Sequence, residues 1–303
     1  MEFACPKIDL ARLALKSLKS DLKRVVLIDR TGLKRTVYTA QKLLTAALFL
    51  AGGLRKLKEP RIGVLFPPSG GGAVANLATI LAGKSPVNLN FTASRNANLK
   101  ALELSGVKTI LTAAPLREKF KDFPWEGLRI LDFTEIFGKA GLGTKLKLIA
   151  TALATILLPQ AGLEAVFGVT RKKLEDEATL LFSSGSTGTP KGIALTHGNI
   201  VANVAQIEAI DLLPKGSKVL ASLPIFHSFG LTVTLWYPLT HRVTAVSYPT
   251  PLDLAAIGKV TREESVDVLV GTASFYKMYM KAVPKEDFVS LKYVVAGAEK
   301  TPK

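Results

Sequence analysis

The stretch LLFSSGSTGTPKGIALTHGNI, Leu180 to Ile200, decides how the rest of the chain is read. Its apolar opening gives way to Ser183, Ser184, Gly185, Ser186, Thr187, Gly188 and Thr189, and then to Pro190, Lys191 and Gly192. Glycines let backbone amides approach an anion, hydroxyls donate hydrogen bonds, and one lysine adds a point charge, so the composition suits a phosphate cradle. It is not the common nucleotide loop G-x-x-x-x-G-K-[ST]: counting from Gly185, Pro190 stands where the second glycine belongs, and Gly192 follows Lys191 where a Ser or Thr would bind magnesium. The apolar run before the loop reads as a strand and Gly198 to Ile210 as a helix, which makes a plain Ser/Gly surface turn the weaker reading.

A second glycine loop competes for the same role. In PPSGGGAVANLA, Gly70, Gly72 and Ala75 satisfy a permissive G-x-G-x-x-G/A after a strand. No acid follows at the distance a ribose needs, where Asn88, Asn90 and Asn96 lie instead, and the first downstream acid is Glu103. A tightly packed strand-to-helix turn is the better reading.

Working outward, helix-like and strand-like units alternate. Ser17 to Arg24 ends an amphipathic helix, Val25 to Asp29 (VVLID) reads as a strand, TAQKLLTAALFLAGGLRKL as an amphipathic helix, and Arg61 to Phe66 as a buried strand. Helices follow around Val74 to Ala82 and from Ser94 to Ser105, then strands Val107 to Thr112 and Leu128 to Phe133. ATLLFSS, KVLASLP, VDVLVGT and LKYVVAGA continue the strand pattern in the second half. This alternation predicts layered α/β sub-domains with mostly parallel sheets.

Composition sets the outer limits. The chain has 303 residues, 48% of them hydrophobic and 21% charged, as expected of a folded α/β protein. Cys5 has no partner for a disulfide, and His197, His227 and His241 have no metal-ligand spacing, so a reducing cytoplasm fits and a zinc site does not. The net charge of +16 favours anionic partners. Lysines are scattered and no nucleic-acid motif appears, so nucleic acid is not among the expected partners. The charged opening MEFACPKIDLARLALKSLKSDLKR does not read as a signal peptide.

Two apolar stretches bear on membranes. Val219 to Thr240 runs 22 residues without a charge, but Pro224, His227, Gly230 and Pro238 interrupt it, and its pieces read as buried strand and turn. In GLGTKLKLIATALATILLP, within a segment 137–173, Leu146, Ile149, Leu153, Ile156 and Leu157 fall at helical spacing, with Thr144, Lys147, Thr151 and Thr155 on the other side. Lys139, Lys145 and Lys147 could meet anionic headgroups. The stretch reads as an amphipathic insertion peripheral on the inner face of a membrane, against the alternative of a surface helix packed on a sheet.

SSGSTGTPKG resembles the phosphate-loop signature of the adenylate-forming enzymes, the superfamily of acyl-CoA synthetases, luciferases and peptide-synthetase adenylation domains. LPIFHSFGLT (Leu223 to Thr232) resembles its second signature, at the acyl pocket, and VVAGAEK (Val294 to Lys300) the start of its adenine-binding segment. LNFTA, ANVAQI, LPIFHSFGLTVTLW, VLVGTASF and LKYVVAGAEK together look most like the acyl-carrier-protein synthetase part of the 2-acylglycerophosphoethanolamine acyltransferases. The resemblance covers nearly the whole chain.

The resemblance implies ATP-dependent activation of a fatty acid, with transfer to a phosphopantetheine thiol of an acyl carrier protein or coenzyme A. Ser184, Gly185, Ser186, Thr187, Gly188 and Lys191 would hold the triphosphate, Ser183 would stand at the Mg2+ position, and Lys191, Thr187 and His227 would carry the catalytic roles. His227 and Phe229 would flank the acyl carboxylate, Gly271 and Thr272 would line the acyl pocket, and Gly297, Ala298 and Glu299 the adenine.

It also implies an incomplete large N-terminal domain over residues 1–303. The family's Tyr-Gly-x-Thr-Glu segment, ribose-binding aspartate and small domain with a catalytic lysine are not in this sequence, so the chain alone is expected to bind better than it turns over. An O-acyltransferase H-x-x-x-x-D motif is missing too, since Ala202, Thr232 and Val246 stand five residues after the histidines. The competing expectation is a non-catalytic nucleotide- or acyl-binding fragment, or a membrane-associated scaffold.

Overall fold

The computed structural model describes residues 5–32, 34–183 and 190–300. Its strands are β1 (Val25–Asp29), β2 (Thr36–Thr39), β3 (Arg61–Val64), β4 (Ser85–Asn88), β5 (Thr109–Thr112), β6 (Arg129–Asp132), β7 (Glu177–Ser183), β8 (Lys191–Thr196), β9 (Lys218–Ala221), β10 (Thr244–Ser247), β11 (Val268–Gly271) and β12 (Tyr293–Ala296). Its α-helices are α1 (Leu10–Ser20), α2 (Ala40–Leu54), α3 (Gly70–Leu81), α4 (Arg95–Ser105), α5 (Ala114–Lys119), α6 (Leu142–Leu157), α7 (Gln160–Val166), α8 (His197–Ala209), α9 (Tyr237–Thr240), α10 (Leu254–Glu264) and α11 (Ala273–Ala282).

Two six-stranded sheets result. One runs β12-β11-β9-β10-β1-β2 and the other β6-β5-β3-β4-β7-β8. All pairings are parallel except those of the edge strands β2 and β8. Parallel strands covered on both faces need apolar residues on both, which is why VVLID and VDVLVG read as continuous runs rather than alternations. Within β1, Val26 and Leu27 join the central core while Ile28 joins a second cluster with Val246, Leu269 and helix α10. The central core takes residues from both sheets and from α1, α2, α3 and α8, so these helices form the shared middle layer. A third cluster packs Leu65, Val87, Ile110 and Leu180 of the second sheet against Phe123 and α4.

Several sequence expectations change here. Helix α1 ends at Ser20 rather than Arg24, because the Asp21 carboxylate accepts from Lys23 N at 3.2 Å and Arg24 N at 3.1 Å and turns the chain. The Arg24 side chain then donates to the carbonyls of Pro238 and His241. Helix α3 starts at Gly70, not near Val74, and its N-terminal amides are already engaged: Gly70 N donates to Asp29 Oδ2 at 2.7 Å and Gly72 N to Ser69 Oγ at 3.1 Å. A Cβ on Gly70 would lie 2.7 Å from the Tyr38 hydroxyl, so this run serves close packing.

The uncharged run after β9 is helical rather than strand and turn. Gly230–Trp236 forms a π-helical segment continuing into α9, with Pro238 tolerated in its first turn. Every residue from Gly230 to Thr240 is buried, so packing overrides the strand preference of TVTLW. Among the described residues no helix is long and apolar enough to cross a membrane.

Candidate functional site

The Ser/Thr/Gly stretch does not lead directly into a helix. KGIALT forms β8, antiparallel to β7, with Ser183 opposite Lys191 and Phe182 opposite Gly192. β7 and β8 therefore pair at the sheet edge, and α8 begins only after β8, with Thr196 and Asn199 making a reciprocal capping box. Ser183 and Lys191 are exposed and face each other across the hairpin mouth. Ser184, Gly185, Ser186, Thr187 and Gly188 lie outside the described residues.

The other candidates gather at the carboxyl ends of three adjacent strands in the other sheet. β9, β11 and β12 are neighbours in that sheet, so the segments leaving them emerge side by side. The turn after β9 carries His227 and Phe229, β11 ends in Gly271 and Thr272, and β12 is followed by Gly297, Ala298 and Glu299. Ligands of open parallel sheets bind at such strand ends.

Contacts tie these segments together. Gly297 N donates to Gly271 O at 3.0 Å. The Phe229 ring lies so close to Gly297 that a Cβ there would fall 2.9 Å from Phe229 Cζ, and Gly271 presents the same bare backbone to the Tyr276 ring. Thr272 caps α11 through its hydroxyl, which accepts from Phe275 N at 3.4 Å. Glu299 crosses to the same helix end, accepting from the backbone N–H of Ser274 and from Ser274 Oγ at 3.1 Å. The bond from the Ser274 amide leads in holding its carboxyl below the usual range. An anion at a helix N-terminus meets unpaired amides and the positive end of the helix dipole. Ala298 takes a left-handed backbone, φ 65°, which turns the chain between Gly297 and Glu299.

The three histidines separate by environment. His197 is buried, with its Nδ1 accepting from Leu10 N at 3.2 Å. His241 stacks on Tyr237 at 4.3 Å and reaches Glu208 at 3.1 Å. Both are structural. The His227 ring is exposed, edge-on to Phe226 at 4.7 Å, and desolvation by its surroundings pushes its pKa down, so it is neutral near pH 7.

The structure thus brings Phe229, Gly271, Thr272, Gly297 and Glu299 into one contiguous cluster, with His227 on the turn that supplies Phe229. Among the described residues no hydrogen bond or ion pair joins Ser183 or Lys191 to that cluster. Ser274 and Tyr276 were not anticipated from sequence. The signal available for Ser274 was its place after a Thr at a helix start; its partner lies 25 residues away.

Comparison with known proteins supports the same fold class and gives a family. A family model described as AMP-binding enzyme matches residues 16–303. A long-chain-fatty-acid–CoA ligase of Haemophilus influenzae is 34% identical over 131 residues, covering 41% of this chain and 23% of that protein. A sulfoacetate–CoA ligase of Cupriavidus necator is 47% identical over 64 residues, or 21% of this chain and 13% of that one. Among solved structures, a fatty acid AMP ligase from Legionella pneumophila superposes with a TM-score of 0.77 at 17% identity, covering 97% of this chain and 50% of that one. The last shows the fold alone, and this chain spans about half of that structure and matches smaller parts of the two curated relatives. With two mostly parallel sheets and a family match over nearly its entire length, the chain belongs to the AMP-binding, adenylate-forming enzyme family, as the large N-terminal domain of such proteins.

Proposed function

We propose that this chain carries the nucleotide- and acyl-binding part of an ATP-dependent acid–thiol ligase acting on a fatty acid, closest in type to the synthetase part of the 2-acylglycerophosphoethanolamine acyltransferases. The observation that carries the reading is the cluster at the ends of β9, β11 and β12, where the Phe229 ring sits against the bare backbone of Gly297 and the exposed His227 lies on the same turn as Phe229. Glycines and an aromatic side chain gathered at the carboxyl ends of parallel strands are where an open α/β sheet takes its ligands. The similarity to a long-chain-fatty-acid–CoA ligase favours a fatty acid over the smaller, more polar acid of the sulfoacetate relative.

In the first step a carboxylate oxygen attacks the α-phosphorus of ATP, forming the acyl–phosphate bond as the bond to pyrophosphate breaks. Two anions must approach, so the site has to supply positive charge and oriented donors. Lys191 supplies the charge, and the loop donors, Thr187 among them, hold the triphosphate. A neutral His227 orients the carboxylate without competing as a counter-ion. In the second step the sulfur of a phosphopantetheine thiol, on acyl carrier protein or coenzyme A, loses its proton to solvent and attacks the acyl carbon, and AMP leaves with the bonding pair. Among the described residues no three His, Cys, Asp or Glu side chains converge on a metal position. A Mg2+ beside Ser183 would therefore take most of its oxygen ligands from phosphate and water.

Fatty-acid-dependent exchange of labelled pyrophosphate into ATP tests this. In the full-length protein Lys191→Ala should lower exchange by about a hundredfold or more, as loss of a transition-state charge donor does. Exchange near the wild-type rate would reduce Lys191 to a surface residue. Binding of ATP and fatty acid without any exchange in the wild type would favour a non-catalytic binding protein.

A further inference from the structure

Helix α6 is mounted inside out. Its buried residues are Thr151 and Thr155, while Leu142, Leu146, Ile149, Leu153, Ile156 and Leu157 all face outward, Leu142 at 76% and Leu157 at 74% exposure. A helix covering a water-soluble domain puts its leucines inward and its hydroxyls outward. Here the threonines make the inward seam: Thr155 Oγ1 lies 3.3 Å from Thr45 Oγ1 of α2, and both hydroxyls are satisfied, Thr151 on Lys147 O at 2.8 Å and Thr155 on Ala152 O at 2.7 Å. The same C-terminal end is held by Lys19 of α1, whose ammonium donates to Ile156 O at 3.0 Å and to Thr155 O. The outward stripe is therefore built into the packing.

Charge along the stripe is mainly positive, and the nearest exposed acid on its N-terminal side is Glu135. From Ile136 to Leu163 the sequence contains Lys139, Lys145 and Lys147 and no acid. Lys139 and Lys145 are exposed, Lys147 is exposed on the threonine side of the helix, and Lys19 sits at the far end. Of the flanking acids, Glu164 is taken up by Arg12 at 3.1 Å. Beside the helix, Lys42, Ala46, Phe137, Leu148 and Ile149 border a groove of about 450 Å³ between α2 and α6, large enough to admit part of an acyl tail.

We propose that the outward face of α6 docks on an anionic phospholipid bilayer, with the leucine and isoleucine stripe at the acyl boundary and the lysine rim at the headgroups. Exposed apolar side chains in a row flanked mainly by lysines are what an interfacial helix presents. A second copy docking through the same face would bring mainly like charge to the interface. The inference stands apart from the catalytic reading, since no residue of the nucleotide or acyl cluster takes part.

The test uses vesicles of phosphatidylcholine with and without phosphatidylglycerol. Wild-type chain should sediment with the mixed vesicles and far less with pure phosphatidylcholine. Lys145→Gln with Lys147→Gln should weaken binding by about fivefold per lysine. Ile149→Asp with Ile156→Asp should abolish sedimentation, and both positions are exposed, so the fold should survive. A second readout does not depend on those variants. In a Cys5→Ser background, an environment-sensitive dye on Leu153→Cys should shift to the blue on adding anionic vesicles, while the same dye on Met280→Cys, exposed on α11, should not. Unchanged emission at position 153, equal shifts at both positions, or undiminished sedimentation of the aspartate variant would overturn the proposal. A blue shift at 153 that needs no vesicles and grows with protein concentration would overturn it in favour of self-association.

Discussion

Replacing Gly230 by alanine tests the construction of the turn that carries His227 and Phe229. A Cβ at this position would overlap the carbonyl oxygen of Pro224 and lie 2.9 Å from Leu223 O and 3.0 Å from Pro224 C. These are backbone atoms in a packed turn, so no rotamer change relieves the clash. The turn itself must move, and with it the bond from His227 N to Pro224 O at 3.2 Å. Overpacking costs about 1–3 kcal/mol and a weakened hydrogen bond about 1 kcal/mol more, for a loss of roughly 2–4 kcal/mol. Gly53, exposed in helix α2 with nothing within 4 Å of its Cβ position, is the matched control. There alanine should gain about 0.5–1 kcal/mol from helix propensity. Urea unfolding followed by circular dichroism and tryptophan emission measures both, Trp236 being fully buried in the same segment. If Gly230→Ala falls within about 1 kcal/mol of wild type, the close approach does not constrain the turn and the reasoning fails.

Two further outcomes follow from titration. Burial lowers the pKa of His197 despite nearby Asp9, and its Nδ1 can accept from Leu10 N only while unprotonated. The unfolded chain takes up that proton first, so stability should fall as pH drops below about 6.5, with His227 and His241, also lowered by desolvation, adding to the slope. His197→Gln should show a smaller loss of unfolding free energy between pH 7.5 and 5.5, and an equal loss would count against this role. The Arg61 guanidinium holds the Glu177 carboxyl below its ordinary range through paired bonds of 2.8 and 2.6 Å. That contribution is present above the unfolded pKa and disappears as pH falls through the folded one, so Glu177→Gln should cost about 1 kcal/mol near pH 7 and progressively less in acid. A pH-independent difference would mean that shape rather than charge matters at this site.

What the sequence determined by itself was chiefly local. VVLID and VDVLVGT are strands because continuous β-branched runs suit a position buried on both faces, and the hydroxyl- and glycine-rich run after LLF has a composition suited to an anion, which is the basis of its proposed role. The helix read from Ser94 begins there because its side chain caps the first turn, accepting from Ala97 N. Tertiary structure decided the rest. KGIALT gave little sign of being a strand, since it is a largely exposed edge whose partner supplies its hydrogen bonds. Gly230–Thr240 is helical because the core surrounds it on all sides, leaving neither face a polar pattern from which a period could be read. In α6 the spacing of leucines and threonines was legible, but which side would meet the protein was not. Periodicity defines two faces of a helix, and only the surface it lands on, here Thr45 and its neighbours on α2, decides which is turned to the outside.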